Sequence, residues 1–269
     1  MPELPEVEAV CRKLRAGAQG ARLLRMHVER AGAVRPQGRR RIEREAAGCV
    51  LEAVERRGKN ILLRLSGDRV LHVHLRMTGR LYVISDARNR PSATRVWWEM
   101  EDGRGLVFED SRALGKVHLY STGELEKALG KVGVEPLSEE FTCDWFVMAA
   151  RRSRKPAKLF LMDQRYVAGL GNIYAAEALF VARIDPRRPV NGISKPKLEA
   201  LHSAIRSVIE EAVVSAEHAY AGPGRIAEGE RFARAVYGRE SEPCVRCGAK
   251  VRRIAQGGRS TYFCAGCQR

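Results

Sequence analysis

The sequence predicts a multidomain α+β chain. A β-rich N-terminal part follows a single helix, a helical middle comes next, and a small metal-stapled end closes the chain. Three observations predict this. Short apolar or alternating runs recur between residues 22 and 120. Helical periodicity takes over from about 143 to 217. Two Cys-x2-Cys pairs stand near the C-terminus.

The elements can be justified in order. Residues 5–16 predict a short helix: Pro5 suits a first turn, Glu6 and Glu8 complement the positive end of the dipole, and Val7, Val10, Cys11 and Leu14 form one apolar stripe. The runs RLLRMHVER, NILLRLSG, RVLHVHLRM, RLYVIS, RVWWEME, GLVFED and KVHLYS then alternate with turn signals such as Ser66-Gly67-Asp68, Thr78-Gly79 and Asp102-Gly103. Strands at this spacing predict a sandwich or a barrel. The stretch GKVGVEPLSEEF lacks periodicity and carries Gly and Pro, so 131–142 is expected as a linker between domains. Helices are expected at 143–152, 155–163, 172–181 and 195–217. The last places Leu198, Leu201, Ile205, Val208, Ile209 and Ala212 at helical spacing. A polar Gly/Pro-rich loop is expected over 218–231. The domains expected are thus 1–130, 143–235 and 236–269. The third is too short for a core of its own and needs a staple.

The staple is in the sequence. Cys244-x2-Cys247 and Cys264-x2-Cys267 are separated by 16 residues. Each pair chelates from one tight turn, and two pairs make a tetrahedral thiolate cage for one Zn2+. Four thiolates leave no open position for water, so this zinc is expected to be structural. Cys11, Cys49 and Cys143 stand alone and are expected to be buried or inert. Between the knuckles lie Lys250, Arg252, Arg253 and Arg259, which suits a DNA-inserting β-hairpin.

Charge narrows the function classes. The 269 residues carry 48 Lys+Arg against 32 Asp+Glu, a net +16. Such an excess favours a polyanionic partner, because neutralised phosphates release counterions. No run approaches the ~18 apolar residues of a membrane span, and the N-terminus lacks a signal-peptide pattern. Neither a membrane protein nor an exported one is expected. The clustered thiols fit the reducing cytoplasm. Basic residues concentrate at Arg35–Arg44 and Arg151–Lys158. The second cluster precedes the turn Gly169-Leu170-Gly171-Asn172, which opens a helix whose N–H groups could face phosphate.

The N-terminus is itself a chemical group. Once Met1 is removed, as is usual before a small residue, Pro2 presents a secondary amine. An α-amine titrates near ~8, far below lysine, so much of it is a neutral nucleophile at physiological pH. Glu3 and Glu6 bracket it as acid–base candidates. Attack on a sugar C1′ would give an iminium, which acidifies the neighbouring carbon and permits β-elimination. On spacing alone, the reading that Pro2 and Pro5 merely shape a helix start would win.

The segments PELPEVE, RRGKNILLRL, HLRMTGRL, DQRYVAGLGNIYAAEALF and VYGR, leading into GRSTYFCAGCQ, come in one order over essentially the whole chain. In that order they closely resemble the formamidopyrimidine-DNA glycosylase family. The resemblance implies an N-terminal β-sandwich, a helix-two-turn-helix domain and a zinc finger. It implies damaged double-stranded DNA as partner, a monomer, and a place on the bacterial nucleoid. By motif, Pro2 would be the nucleophile, Glu3 the general acid/base, and Lys59 a buried lysine near the lesion. Asn172 and Arg259 would hold the flanking phosphates. Met77, Arg112 and Leu114 would fill the gap left by the everted nucleotide, with Arg112 facing the orphaned base. His74, beside this loop, reads as structural.

The chain also departs from the family pattern. Arg112-Ala113-Leu114-Gly115 stands where Arg-x-Phe-Gly is usual, Arg76 where glycine precedes the methionine, and Arg95 where a histidine is expected. The loop at 218–231 matches poorly. The function expected is a bifunctional glycosylase and abasic-site lyase for oxidised purines, working by β,δ-elimination. Leu114 also suits an endonuclease VIII-like preference for oxidised pyrimidines, although Leu4 does not. A non-catalytic binder of damaged DNA is the alternative from another class; intact Pro2, Glu3 and Lys59 argue against it.

Overall fold

The computed structural model describes residues 2–219 and 232–269. Residues 220–231 of the expected polar loop lie outside the described residues. The chain divides into two compact units. One holds Pro2 and residues 6–130; the other holds Glu3–Pro5 and Lys131–Arg269.

The first unit is built on eight antiparallel strands: β1 (Arg22–Val28), β2 (Cys49–Arg57), β3 (Asn60–Leu65), β4 (Arg69–His74), β5 (Gly79–Ile84), β6 (Thr94–Met100), β7 (Gly105–Asp110) and β8 (Lys116–Tyr120), in the order β5-β7-β6-β1-β2-β3-β4-β8. Strands β1 and β2 share only the register pairs Arg22↔Val50 and Leu23↔Cys49. Register shifts follow on both sides, at Leu23/Arg25 and Leu51/Ala53. Such bulges bend a strand. The expected sandwich is therefore one hydrogen-bonded sheet that folds over at β1/β2 into two four-stranded halves. Trp98, Phe108, Leu23, Leu51, Ile61, Leu63, Leu71 and Val73 are among its buried side chains.

Helix α1 (Leu4–Ala18) lies antiparallel to β2. Cys11 Sγ contacts the Glu55 carbonyl, and Arg15 Nε donates to the Val54 carbonyl at 2.8 Å. Arg56 bonds Glu8 at 2.8 Å and the Gly58 carbonyl at 3.1 Å. Burial works against the Glu8 carboxylate, but Arg15 and Arg56 outweigh it and hold its pKa below the usual range. The N-terminal end of α1 thus points toward the Gly58–Lys59 turn.

Three elements of this unit lie outside the sequence expectation. Strand β2 has no quoted apolar run, because Glu52 and Glu55 interrupt it. Helix α2 (Arg39–Ala46) is the first basic cluster, and buries only Ile42 and Ala46. Helix α3 (Thr122–Leu129) opens with a Ser121–Glu124 capping box and packs Leu125 on Leu62 and Val70.

The second unit contains α4 (Cys143–Arg151), α5 (Ala157–Met162), α6 (Asn172–Val181), α7 (Lys195–Ala219) and the hairpin β9 (Arg252–Gln256)–β10 (Arg259–Phe263). Helix α5 is shorter than expected because it starts after Pro156. Helix α6 is its centre, with every side chain from Ile173 to Phe180 buried. Residues 131–142, expected as a linker, are folded onto this unit. Val134 bridges Val167, and the buried Phe141 stacks on His202 with ring centroids 4.7 Å apart. No helix among the described residues is long and apolar enough to cross a membrane.

Candidate active site and nucleic-acid interface

Strand register gathers several candidate residues at one end of the first unit. The pairs Asn60↔His74 and His74↔Lys116 bring the Gly58–Lys59 turn level with the end of β4 and the start of β8. The pair Gly79↔Asp110 sets the 75–79 turn beside the 111–115 turn. Lys59 is 9% exposed, at the corner of a two-residue hairpin closed by Arg57↔Asn60, with Gly58 at φ +59°. Met77 and Leu114 are each 43% exposed, large for apolar side chains, and Arg112 is exposed beside them. The half-buried Pro2 lies at the end of α1 that points this way.

Both apolar residues sit on turns with little conformational freedom. A Cβ on Gly79 would lie 2.4 Å from the Leu75 carbonyl oxygen, and one on Gly115 would lie 2.5 Å from Phe108 Cζ. Two residues fix these turns: Asp110, which sequence reasoning missed, and Arg95, which it noted without a role. The fully buried Asp110 carboxylate accepts the Thr78 hydroxyl at 2.5 Å, the Arg112 N–H at 3.2 Å and the Gly115 N–H at 2.7 Å. Arg95, which departs from the family pattern, donates to the carbonyls of Asp110 and Ser111 at 2.6 and 3.2 Å. Arg76, another departure, adopts φ +56°, a conformation glycine takes without cost. Its N–H donates to His74 Nδ1 at 3.1 Å. Burial first, then Arg76 and Lys59, push the His74 pKa down to about 4. A neutral imidazole is what this acceptor role needs.

In the second unit, the Glu3 carboxylate is 2% exposed and accepts the N–H groups of Ile173 and Tyr174, at 3.1 and 3.5 Å. These are among the first N–H groups of α6, and its N-cap residue Gly171 offers no side chain. A helix N-terminus favours negative charge, so Glu3 replaces the missing cap. The Leu4 N–H donates to the Gly169 carbonyl at 3.1 Å. Gly169 has φ +80°, and a Cβ there would lie 2.6 Å from Leu4 Cβ. Gln164 braces this loop: its amide donates to the carbonyls of Met162 and Leu170 and accepts the Gly169 N–H.

Asn172, the first residue of α6, donates to the Ser260 carbonyl at 3.0 Å, while its Oδ1 is buried without a partner. Lys158 belongs to the second basic cluster, yet it is fully buried. Its Nζ donates to the same Ser260 carbonyl at 2.9 Å and to Thr261 Oγ1 at 2.6 Å. Burial, then the Arg259 charge, push its pKa down to about 8, with Glu3 acting the other way. Two side chains thus seat the start of β10, where Arg259 remains exposed. Glu177, also missed, accepts the N–H groups of Ala235, Val236 and Tyr237 at 2.8, 3.1 and 2.7 Å. An acid inside the apolar stretch NIYAAEALFV was its only signal.

The four knuckle cysteines come together with all Sγ atoms within 4.8 Å of one another. Cys247–Cys264 and Cys244–Cys267 are 3.5 and 3.9 Å apart. A tetrahedron with Zn–S bonds of ~2.3 Å has S···S edges of about 3.8 Å. The cage therefore fits the ion. Of the lone cysteines, Cys11 and Cys49 are buried, whereas Cys143 is partly exposed.

Family models match along the chain: the formamidopyrimidine-DNA glycosylase N-terminal domain over residues 1–117, the H2TH domain of the same family over 132–220, and a zinc finger found in FPG and IleRS over 241–269. The chain belongs to the formamidopyrimidine-DNA glycosylase family. Curated members from Cytobacillus firmus and Ruegeria pomeroyi are 38% and 40% identical to it, with full coverage of both partners. A Lactococcus lactis member bound to DNA containing an abasic site matches with TM-score 0.89 and 32% identity over 99% of each chain. A variant of that protein with Fapy-dG-containing DNA matches with TM-score 0.90 and 31% identity over 100% of each. Membership of this family makes the chain a base-excision DNA glycosylase. With the zinc-finger match, the four-cysteine cage holds one structural zinc.

Proposed function

We propose that the chain excises oxidised purines from double-stranded DNA and then cuts the strand, with the Pro2 nitrogen as nucleophile. The observation that carries this reading is Glu3: a buried carboxylate held on the first N–H groups of α6, one residue after the amine. The Pro2 nitrogen attacks C1′ of the damaged nucleotide. The C1′–base bond breaks, its electron pair leaves with the base, and the base takes up a proton. Glu3 takes the proton that the attacking Pro2 nitrogen loses and delivers it to the sugar ring oxygen, which opens the ring and leaves an iminium between C1′ and Pro2. The iminium acidifies C2′. Loss of the C2′ proton expels the 3′ phosphate, and a second elimination expels the 5′ phosphate.

The target base must leave the stack for this chemistry, at a cost of a few kcal/mol. Met77, Arg112 and Leu114 fill the gap and offset that cost. Lys59 acts near the lesion. Arg259, with the β10 hairpin seated by Asn172 and Lys158, holds backbone phosphate without reading sequence. Asn172 does so by turning its amide from the Tyr237 hydroxyl, which it reaches at 3.5 Å, while keeping the shorter bond to Ser260. The zinc supplies folding of the hairpin and takes no part in the chemistry. One lesion needs one copy of the chain, and the reduced thiolates fit a cytoplasmic site of action.

A second reading, preference for oxidised pyrimidines, is favoured by the aliphatic Leu114, which lacks an aromatic face for probing stacked bases. Strand cleavage on duplexes carrying 8-oxoguanine or an oxidised pyrimidine separates the two. Faster cleavage at 8-oxoguanine is expected. Cleavage only at the pyrimidine replaces the substrate and keeps the chemistry. Binding without cleavage on either removes the catalytic reading.

A further inference from the structure

We propose that Asp110 is the positioning residue that makes Met77, Arg112 and Leu114 a single wedge, and so controls how well a base is extruded from a duplex. This rests on the reading of those three side chains as the gap-filling group. They come from separate connections, β4–β5 and β7–β8. Each connection holds one non-glycine residue at positive φ, Arg76 at +56° and Ala113 at +53°. Such residues are strained and persist only where the surroundings hold them.

Asp110 holds both turns. One carboxylate oxygen takes the Thr78 hydroxyl, next to Met77, together with the Arg112 N–H. The other takes the Gly115 N–H, just after Leu114. Thr78 Oγ1 itself receives the Arg112 N–H at 3.3 Å, which closes the link between the turns. From behind, the Asp110 carbonyl accepts the Ala113 N–H and the Arg95 guanidinium. The carboxylate is shut off from solvent, so water cannot take its place if it is lost.

The wedge works only where a stacked base must be displaced. An abasic sugar has no base to unstack. A residue that orients the wedge should therefore affect excision of a base from a duplex and spare cleavage of an abasic site. A residue that merely supports the fold should affect both alike.

The test measures single-turnover rates for Asp110→Asn and Thr78→Val on two duplexes, one with 8-oxoguanine and one with an abasic site. Met77→Ala/Leu114→Ala serves as the benchmark for the wedge. The result expected is a fall on the order of 10²-fold in base excision, as for ångström-scale misplacement, with abasic-site cleavage unchanged in both clamp variants. Equal losses on the two duplexes would overturn the proposal in favour of a structural role. Loss in the benchmark without loss in either clamp variant would overturn the clamp alone. An unaffected benchmark would remove the wedge reading, and the proposal with it.

Discussion

The Glu3 carboxylate accepts the Ile173 backbone N–H at 3.1 Å, which ties a residue at the start of the chain to the start of a helix 170 positions later. The bond does two things. It satisfies a helix terminus that Gly171 leaves uncapped, and it fixes the orientation of an acid placed next to the Pro2 amine. Glu3→Gln keeps the size and one acceptor but loses the charge. Base excision should fall by roughly 10²–10⁴-fold, the usual contribution of an acid–base group. DNA affinity should stay within a few-fold. Thermal melting should show a loss of ~1 kcal/mol from the helix terminus. Unchanged excision in single-turnover kinetics would remove Glu3 from the chemistry.

Gly169 controls how the chain start reaches that helix. Its φ of +80° and the 2.6 Å approach to Leu4 Cβ leave no room for a methyl group. Gly169→Ala should cost ~1–3 kcal/mol and slow formation of the covalent intermediate more than it weakens DNA binding. Stopped-time trapping beside a binding titration checks this. A variant of unchanged stability and trapping rate would show that the loop tolerates the shift.

The two strand histidines predict acid sensitivity. Burial, with neighbouring positive charge, lowers the pKa of both His72 and His74 to about 4, from about 6.5 in the unfolded chain. Between these values the unfolded state binds more protons than the folded state. Stability is therefore fully present above pH 6.5 and is lost as pH falls through 4. Each histidine contributes about 3 kcal/mol at most across that window. In His74 the proton would also displace the Arg76 N–H from Nδ1. Denaturant titrations at pH 7 and pH 4.5 should differ by a few kcal/mol, and His72→Gln should shrink the gap. No pH dependence in this range would contradict the assignment of neutral imidazoles.

Zinc removal should act on one part of the chain. A chelator is expected to unfold residues 241–269 and abolish DNA binding, because the hairpin has few buried apolar residues apart from the cage. The strand-rich unit should keep its far-UV signature. DNA binding that survives verified metal loss would separate the hairpin from DNA recognition.

Much of this was legible in the sequence, for physical reasons. The strands from RVLHVHLRM to KVHLYS alternate because each half of the sheet buries one face. The paired cysteines announced their cage by spacing alone. Strand β2 was hidden because its two glutamates break the apolar run. Helix α2 was hidden because Ile42 and Ala46 make too thin a stripe among arginines. Helix α3 could have been found from Ser121 and Glu124. In the candidate site, the chemistry-bearing residues Pro2, Glu3 and Lys59 were readable from motifs. The residues that brace the surrounding turns, loop and hairpin were not. Asp110, Gln164, Lys158 and Glu177 act through hydrogen bonds to backbone groups distant in sequence or set by turn geometry, and no local pattern marks such partners. Lys158 shows the reverse hazard: within a run of basic residues it reads as surface charge, yet it is fully buried.

The central claim is that Pro2 is the nucleophile. The most direct measurement is borohydride reduction of the intermediate on a duplex with an abasic site, followed by proteolysis and mass mapping of the sugar adduct. The account predicts a single adduct on the N-terminal peptide, at the Pro2 nitrogen, in protein lacking Met1. An adduct on Lys59 or any other lysine, with the N-terminal peptide unmodified, would contradict it.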